Sequence, residues 1–199
     1  MAPLDPLTLI RGHLEQSAEV KRKTAEACAP GIARAADLLV NTFRGGGRLL
    51  LCGNGGSAAD CQHLAAEFVN GLDPRMPRPA LGALALTTDT SFLTANANDF
   101  GFDHVFERQV EAHGRQGDAL LAITTSGNSA NVLRALERSR VQGMVSVLLT
   151  GEGGGKAAGL ADVAIKVPSA DAQRIQESHI TIGHILCELV ERALFPRGC

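Results

Sequence analysis

The sequence predicts an α/β protein: a three-layer fold with a five-stranded parallel sheet flanked by helices and preceded by N-terminal helices. Three observations carry that expectation. Five apolar runs, within residues 49–52, 81–88, 117–125, 143–151 and 161–169, alternate with helical stretches. The runs are apolar throughout rather than at every second residue, as strands buried on both faces should be. Polar turns rich in glycine or hydroxyls follow two of them, and ligands of parallel sheets gather beyond the carboxyl ends of the strands.

Residues from about Pro6 to Phe43 are helical in pattern, and Pro30-Gly31 predicts a break that gives two helices. GGGR, Gly45 to Arg48, stops the second and leads into the strand LLLC. GNGGSAADCQHLAAEF, Gly53 to Phe68, is a glycine turn running into a helix. A proline- and arginine-rich loop, DPRMPRPA, precedes the run LGALALTT, then SFLTANAND and a helix through VFERQVEAHG. GDALLAITTSGNSANVLRALERSR reads strand, polar turn, helix; GMVSVLLTGEGGG is another strand and loop. ADVAIKVPS is a last short strand, and DAQRIQESHITIGHILCELVERALF a long terminal helix.

A length of 199 residues bounds the chain to one domain, 1–199, with a core large enough to stand alone. Net charge is −2 and the pI near 6.3, so no electrostatic footprint for nucleic acid is expected. The first residues lack the apolar core and cleavage site of a signal peptide. No window approaches the roughly eighteen apolar residues of a spanning helix. The expectation is a soluble, cytoplasmic protein without membrane contact. Cys28, Cys52, Cys61, Cys187 and Cys199 show no CxxC pair, which predicts reduced, buried thiols.

After the first strand, the GNGGS turn places backbone amides and a helix N-terminus where an anion would sit. It lacks the Lys-Ser/Thr ending of a nucleoside-triphosphate loop. Gly53, Gly55 and Ala58 fit the dinucleotide pattern, but the acidic partner at the end of the second strand is missing, since Asp73 falls in the proline loop. TTSGNSAN repeats the arrangement with the hydroxyls of Thr124, Thr125, Ser126 and Ser129. Helix capping by Ser126 or Ser129 is the simpler alternative. Two such turns on one sheet edge point to a shared phosphate ester, and the absence of Lys or Arg from both favours a compact sugar phosphate.

His63 and Glu67 stand at i and i+4 of one helix face that begins at the glycine turn. His179 and His184 lie among apolar residues of the terminal helix, where a buried structural histidine is the simpler explanation. Spacing alone does not bring that helix beside His63.

GNGGSAADCQHLAAEF, TTSGNS, NDFG (Asn98 to Gly101) and RIQESHITIGHILCELVE together resemble the bacterial phosphoheptose isomerases of the sugar isomerase (SIS) domain group. The resemblance runs in order over nearly the whole chain. The two turns are common to the SIS group; HxxxE after GNGGS, with RIQE and the later His, is more specific. The resemblance implies conversion of sedoheptulose 7-phosphate to D-glycero-D-manno-heptose 7-phosphate, the first step towards ADP-heptose for lipopolysaccharide. Carried over by position, Glu67 and His184 are the acid/base pair. Asn54, Gly55, Gly56, Ser57, Glu67, Asn98, Asp99, Thr124, Thr125, Ser126, Ser129 and Gln176 surround the substrate. His63, Glu67, Gln176 and His184 form a zinc (Zn2+) site, one ion per subunit. Thr124 keeps a hydroxyl where the family commonly has serine.

The residue types suit the chemistry. Ketose-to-aldose conversion moves a proton from C1 to C2 through an enediol; a carboxylate can carry it while an imidazole serves the two oxygens. Gln176 and His184 are eight residues apart, about 12 Å on a regular helix. They share one centre if their side chains converge or if a neighbouring subunit supplies one. The resemblance also implies a homotetramer with sites near subunit boundaries. The alternative is a non-catalytic SIS protein that binds the replication initiator; that branch lacks the carboxylate and final histidine that Glu67 and His184 supply here.

Overall fold

Asp5 opens the first helix by accepting hydrogen bonds from the Leu7 and Thr8 amides, with Pro6 at the first helical position. The structure, a computed structural model, describes residues 5–196; Cys199 lies outside them. Helix α1 (Pro6–Arg44) is one continuous helix, and the break expected at Pro30 does not occur. Pro30 lies on the exposed face, where water can serve the carbonyl it leaves unpaired. The opposite face buries Cys28, Ile32, Ala35, Ala36, Leu39 and Val40 on both sides of the proline. An interior proline costs about 3 kcal/mol, and burying one large aliphatic side chain contributes about 1.5–3 kcal/mol. The packed face therefore outweighs the kink.

Beyond α1 the strands and longer helices run in the order β1 (Leu49–Gly53), α2 (Gly56–Asn70), β2 (Ala83–Ala85), α3 (Thr90–Phe100), α4 (Glu107–His113), β3 (Ala119–Ile123), α5 (Ala130–Val141), β4 (Val145–Gly151), β5 (Val163–Val167) and α6 (Ala172–Leu194). The five strands form one all-parallel sheet in the order β2-β1-β3-β4-β5. LGALALTT supplies only three strand residues, at the sheet edge, and SFLTANAND is the body of α3.

Alternate strand residues feed two cores. Leu49, Leu51, Leu121, Ile123, Val147, Leu149 and Ile165 pack under α1, α2 and α6. Leu50, Cys52, Leu120, Ala122 and Leu148 pack under α4 and α5. Both faces are covered, which is why the runs are apolar without alternation.

The strand order has one topological consequence for the site. The chain moves outward from β1 to β2, then returns to place β3 on the other side of β1. The turns after β1 and β3 therefore flank the switch point of a doubly wound sheet, where such folds open a crevice. Those turns are GNGGS and TTSGNS. On the covered face above, α2 and α6 run side by side: a methyl at Gly56 would stand 2.9 Å from Gln176 Nε2, and one at Gly183 would stand 2.5 Å from Leu64 Cδ2.

Candidate active site

The two turns leave their helices uncapped. Gly55 sits at φ +55°, in the left-handed region that glycine enters freely, and α2 begins behind it without a side-chain cap. Ser129 occupies the N-cap position of α5, yet its hydroxyl turns to Thr124 Oγ1 at 3.0 Å instead of to the helix amides. The Ser126 hydroxyl accepts from the Asn128 amide within the turn. Neither serine caps α5, so the capping alternative does not describe the turn. By contrast α1, α3 and α6 are each capped by an aspartate: Asp5, Asp89 and Asp171. The first amides of a helix have no intrahelical partner. At the switch point they lie near Ser57, Thr124, Thr125 and Ser129, which the same two turns supply.

The second turn is held from below and behind. The Thr125 carbonyl accepts from the Gly151 amide at 3.0 Å, and the Gly127 carbonyl accepts from the Ala157 amide at 2.9 Å. Gly127 has φ +66°, and a Cβ there would overlap the Gly154 carbonyl. Only glycine fits this crossing of loops.

About two turns further along the α2–α6 pair, His63 and His184 meet Nε2 to Nε2 at 2.8 Å, with ring planes at 67°. One imidazole must donate and the other accept. Glu67 Oε1 lies 3.5 Å from His63 Nε2. The ligand-capable atoms of His63, Glu67 and His184 all fall within 4.8 Å of one another. Two nitrogens and one carboxylate oxygen in that volume suit a zinc-type ion. Gln176 stands at the Gly56 end of the same helices. Helical side chains lean towards the N-terminus, so both histidines lean back towards Gln176.

Asn98 and Asp99 are exposed on the last turn of α3, hydrogen-bonded to each other at 2.7 Å rather than to either turn. Asn54 is tied to Asn131 by two hydrogen bonds. His179 is fully buried, as expected of a structural histidine. Cys28, Cys52, Cys61 and Cys187 are free and buried; burial pushes the Cys52 thiol up to about 12.

Three residues near the site carry no obvious signal in the linear pattern. Asp60 lies one turn before His63 and buries a carboxylate oxygen without a hydrogen-bond partner. Burial raises its pKa, while His63 and His184 pull it back down. Its i−3 spacing from His63 is the clue that could have found it. Arg78, from the proline loop, donates to the Glu67 carbonyl at 2.9 Å and to Glu191 at 2.7 Å, and so anchors the backbone that carries Glu67. Asn131 is the third.

The SIS domain family matches residues 13–151. The phosphoheptose isomerase of Roseiflexus sp. (strain RS-1) is 52% identical over 195 residues, covering 98% of each chain. The chain belongs to the phosphoheptose isomerases of the SIS domain family. It is an isomerase. Among solved structures, the phosphoheptose isomerase from Neisseria gonorrhoeae superposes with a TM-score of 0.88 at 43% identity, covering 94% of this chain and 99% of that one. The Francisella tularensis enzyme gives 0.91 at 38% identity, covering 95% and 100%. Both share the fold described above. The enzyme reading prevails over the non-catalytic one, and Glu67 and His184, which separated the two in the sequence, lie in one cluster.

Proposed function

We propose that this isomerase converts sedoheptulose 7-phosphate to D-glycero-D-manno-heptose 7-phosphate through an enediol, opening a route to ADP-heptose. One observation carries the reading: a proton-handling cluster of His63, Glu67 and His184 forms between α2 and α6, and the uncapped N-terminus of that same α2 joins the uncapped N-terminus of α5 in an amide- and hydroxyl-lined phosphate cradle. The Gly55, Gly56, Ser57 and Thr124 to Ser126 turns, with Ser129, hold the phosphate; Gln176 faces the sugar chain between the two ends. Asn98 and Asp99 complete the substrate pocket from their exposed helix end. The Glu67 carboxylate takes the proton from C1, the C1–C2 enediol forms as the carbonyl oxygen is protonated, and Glu67 returns the proton to C2. His184 passes a proton between O1 and O2, and His63 fixes its ring through the Nε2 contact.

The cluster of His63, Glu67 and His184 fits a zinc ion, one per subunit; Gln176, which stands apart from the cluster at the Gly56 end of α6, would be the fourth ligand. Such an ion supplies polarisation of the carbonyl when bound. A homotetramer is favoured by the exposed apolar residues Leu7, Leu9, Ile10 and Leu14 on the part of α1 that precedes its buried stretch. We assign the whole of 1–199 to a single SIS domain, with residues 1–45 serving packing and assembly. Among the described residues no helix is long and apolar enough to cross a membrane. Among the described residues, the free cysteines Cys28, Cys52, Cys61 and Cys187 favour a cytoplasmic enzyme.

The direct test is purified protein with sedoheptulose 7-phosphate, followed by NMR. Appearance of the aldose heptose 7-phosphate is the expected result; no turnover, with or without added zinc, overturns the reading.

A further inference from the structure

The turns after β1 and β3 leave adjacent strands, with Gly53 opposite Ile123 in the register. Adjacency fixes where they start but not how far apart their tips stand. The first turn is short and flexible by composition: Gly55 and Gly56 are exposed, Gly55 holds a positive φ, and α2 behind it has no side-chain cap. Between the two turns, the side-chain hydrogen bonds among the described residues come from one pair. Asn54 Nδ2 donates to Asn131 Oδ1 at 2.9 Å, and Asn131 Nδ2 donates back to Asn54 Oδ1 at 2.9 Å. This closed ring joins positions 77 residues apart. Asn131 is only 3% exposed and sits in the first turn of α5, so its side chain projects from a rigid element.

We propose that Asn131 is a positioning residue: through Asn54 it sets the spacing between the GNGGS turn and the TTSGNS turn, and so the width of the phosphate cradle. Each amide satisfies the other, so breaking the ring strands a half-buried donor and acceptor rather than removing one bond. The Asn54 side chain is thereby committed to the scaffold; what its residue offers the substrate is the backbone. The inference rests on the cradle reading of the two turns given above.

The test uses the full-length enzyme, with inorganic phosphate as a competitive inhibitor. Asn131→Ala, Asn54→Ala and the double variant are compared with the native protein for KM, kcat, phosphate Ki and thermal midpoint. Asn131→Ser is the substitute if Asn131→Ala does not fold. Either single change is expected to raise KM and phosphate Ki about tenfold and to leave kcat within about threefold. The double variant should be no worse than either single, because both remove the same ring. A merely structural asparagine would lower the thermal midpoint while KM and Ki stayed native, and that result overturns the proposal. So does multiplication of the two single effects, or a large effect of Asn54→Ala with none of Asn131→Ala, which would put Asn54 directly on the substrate. If phosphate fails to compete in the native enzyme, the cradle reading itself falls and takes the proposal with it.

Discussion

At the end of the α2–α6 pair where Gly56 meets Gln176, the protein offers amides and hydroxyls. About 10 Å along the same helices, where His63 meets His184, it offers groups that carry protons. The first end has no lysine or arginine in either turn, so the phosphate proposed to bind there would be held by helix dipoles and short hydrogen bonds. The second end has an imidazole pair and a carboxylate, and nothing in it resembles a phosphate site. On the function proposed above, the two parallel helices separate holding from reacting while keeping them a fixed distance apart. Substitutions at the two ends should therefore move different kinetic constants.

The largest effect is expected at the reacting end. Glu67→Gln should lower kcat about a thousandfold and leave KM within about threefold in steady-state assays. A comparable rise in KM would break the division between the ends. Prolonged dialysis against a chelator should lower kcat about tenfold or more, with zinc lost from the protein by elemental analysis and phosphate Ki unchanged. Full activity in metal-free protein would leave His63 and His184 with proton transfer alone.

At the holding end, Gly127→Ala meets both a positive φ and the Gly154 carbonyl. It should cost about 2–3 kcal/mol in urea unfolding and raise phosphate Ki, while a native unfolding midpoint would show that the loops can move apart. His179 links the two ends because it lies on the buried face of the helix they share. Burial pushes it down from 6.5 to about 4. The unfolded chain therefore takes up the proton first. Its contribution is fully present above about pH 6.5 and is lost as pH falls towards 4, about 2 kcal/mol of it by pH 5. His179→Leu should flatten stability across that window in paired urea titrations. The smallest effect is expected for Ser129→Ala, a two- to fivefold rise in KM from one lost hydroxyl contact.

Much of this was legible in the chain. Uniformly apolar strand runs gave the doubly covered sheet, and the two turns were placed on the correct edge because strand direction fixes it. His63 and Glu67 could be paired because i and i+4 share a helix face. Only the family resemblance put His63 and His184 in one site; their meeting was not legible in spacing, since it depends on α2 and α6 covering the same sheet face, a matter of topology. Nor was Asn54–Asn131, whose partners are distant in sequence and adjacent only because β1 pairs with β3. Pro30 misled for a related reason: local propensity predicted a break that burial on both sides of it overrides.

The most direct test of the proton path is turnover of sedoheptulose 7-phosphate in D2O, comparing the native enzyme with Glu67→Gln by NMR. The native enzyme should give aldose product carrying deuterium at C2, and the variant should neither form product nor exchange the C1 proton while still binding inorganic phosphate. Exchange by Glu67→Gln at the native rate would contradict the assignment of the carbon-bound proton to Glu67.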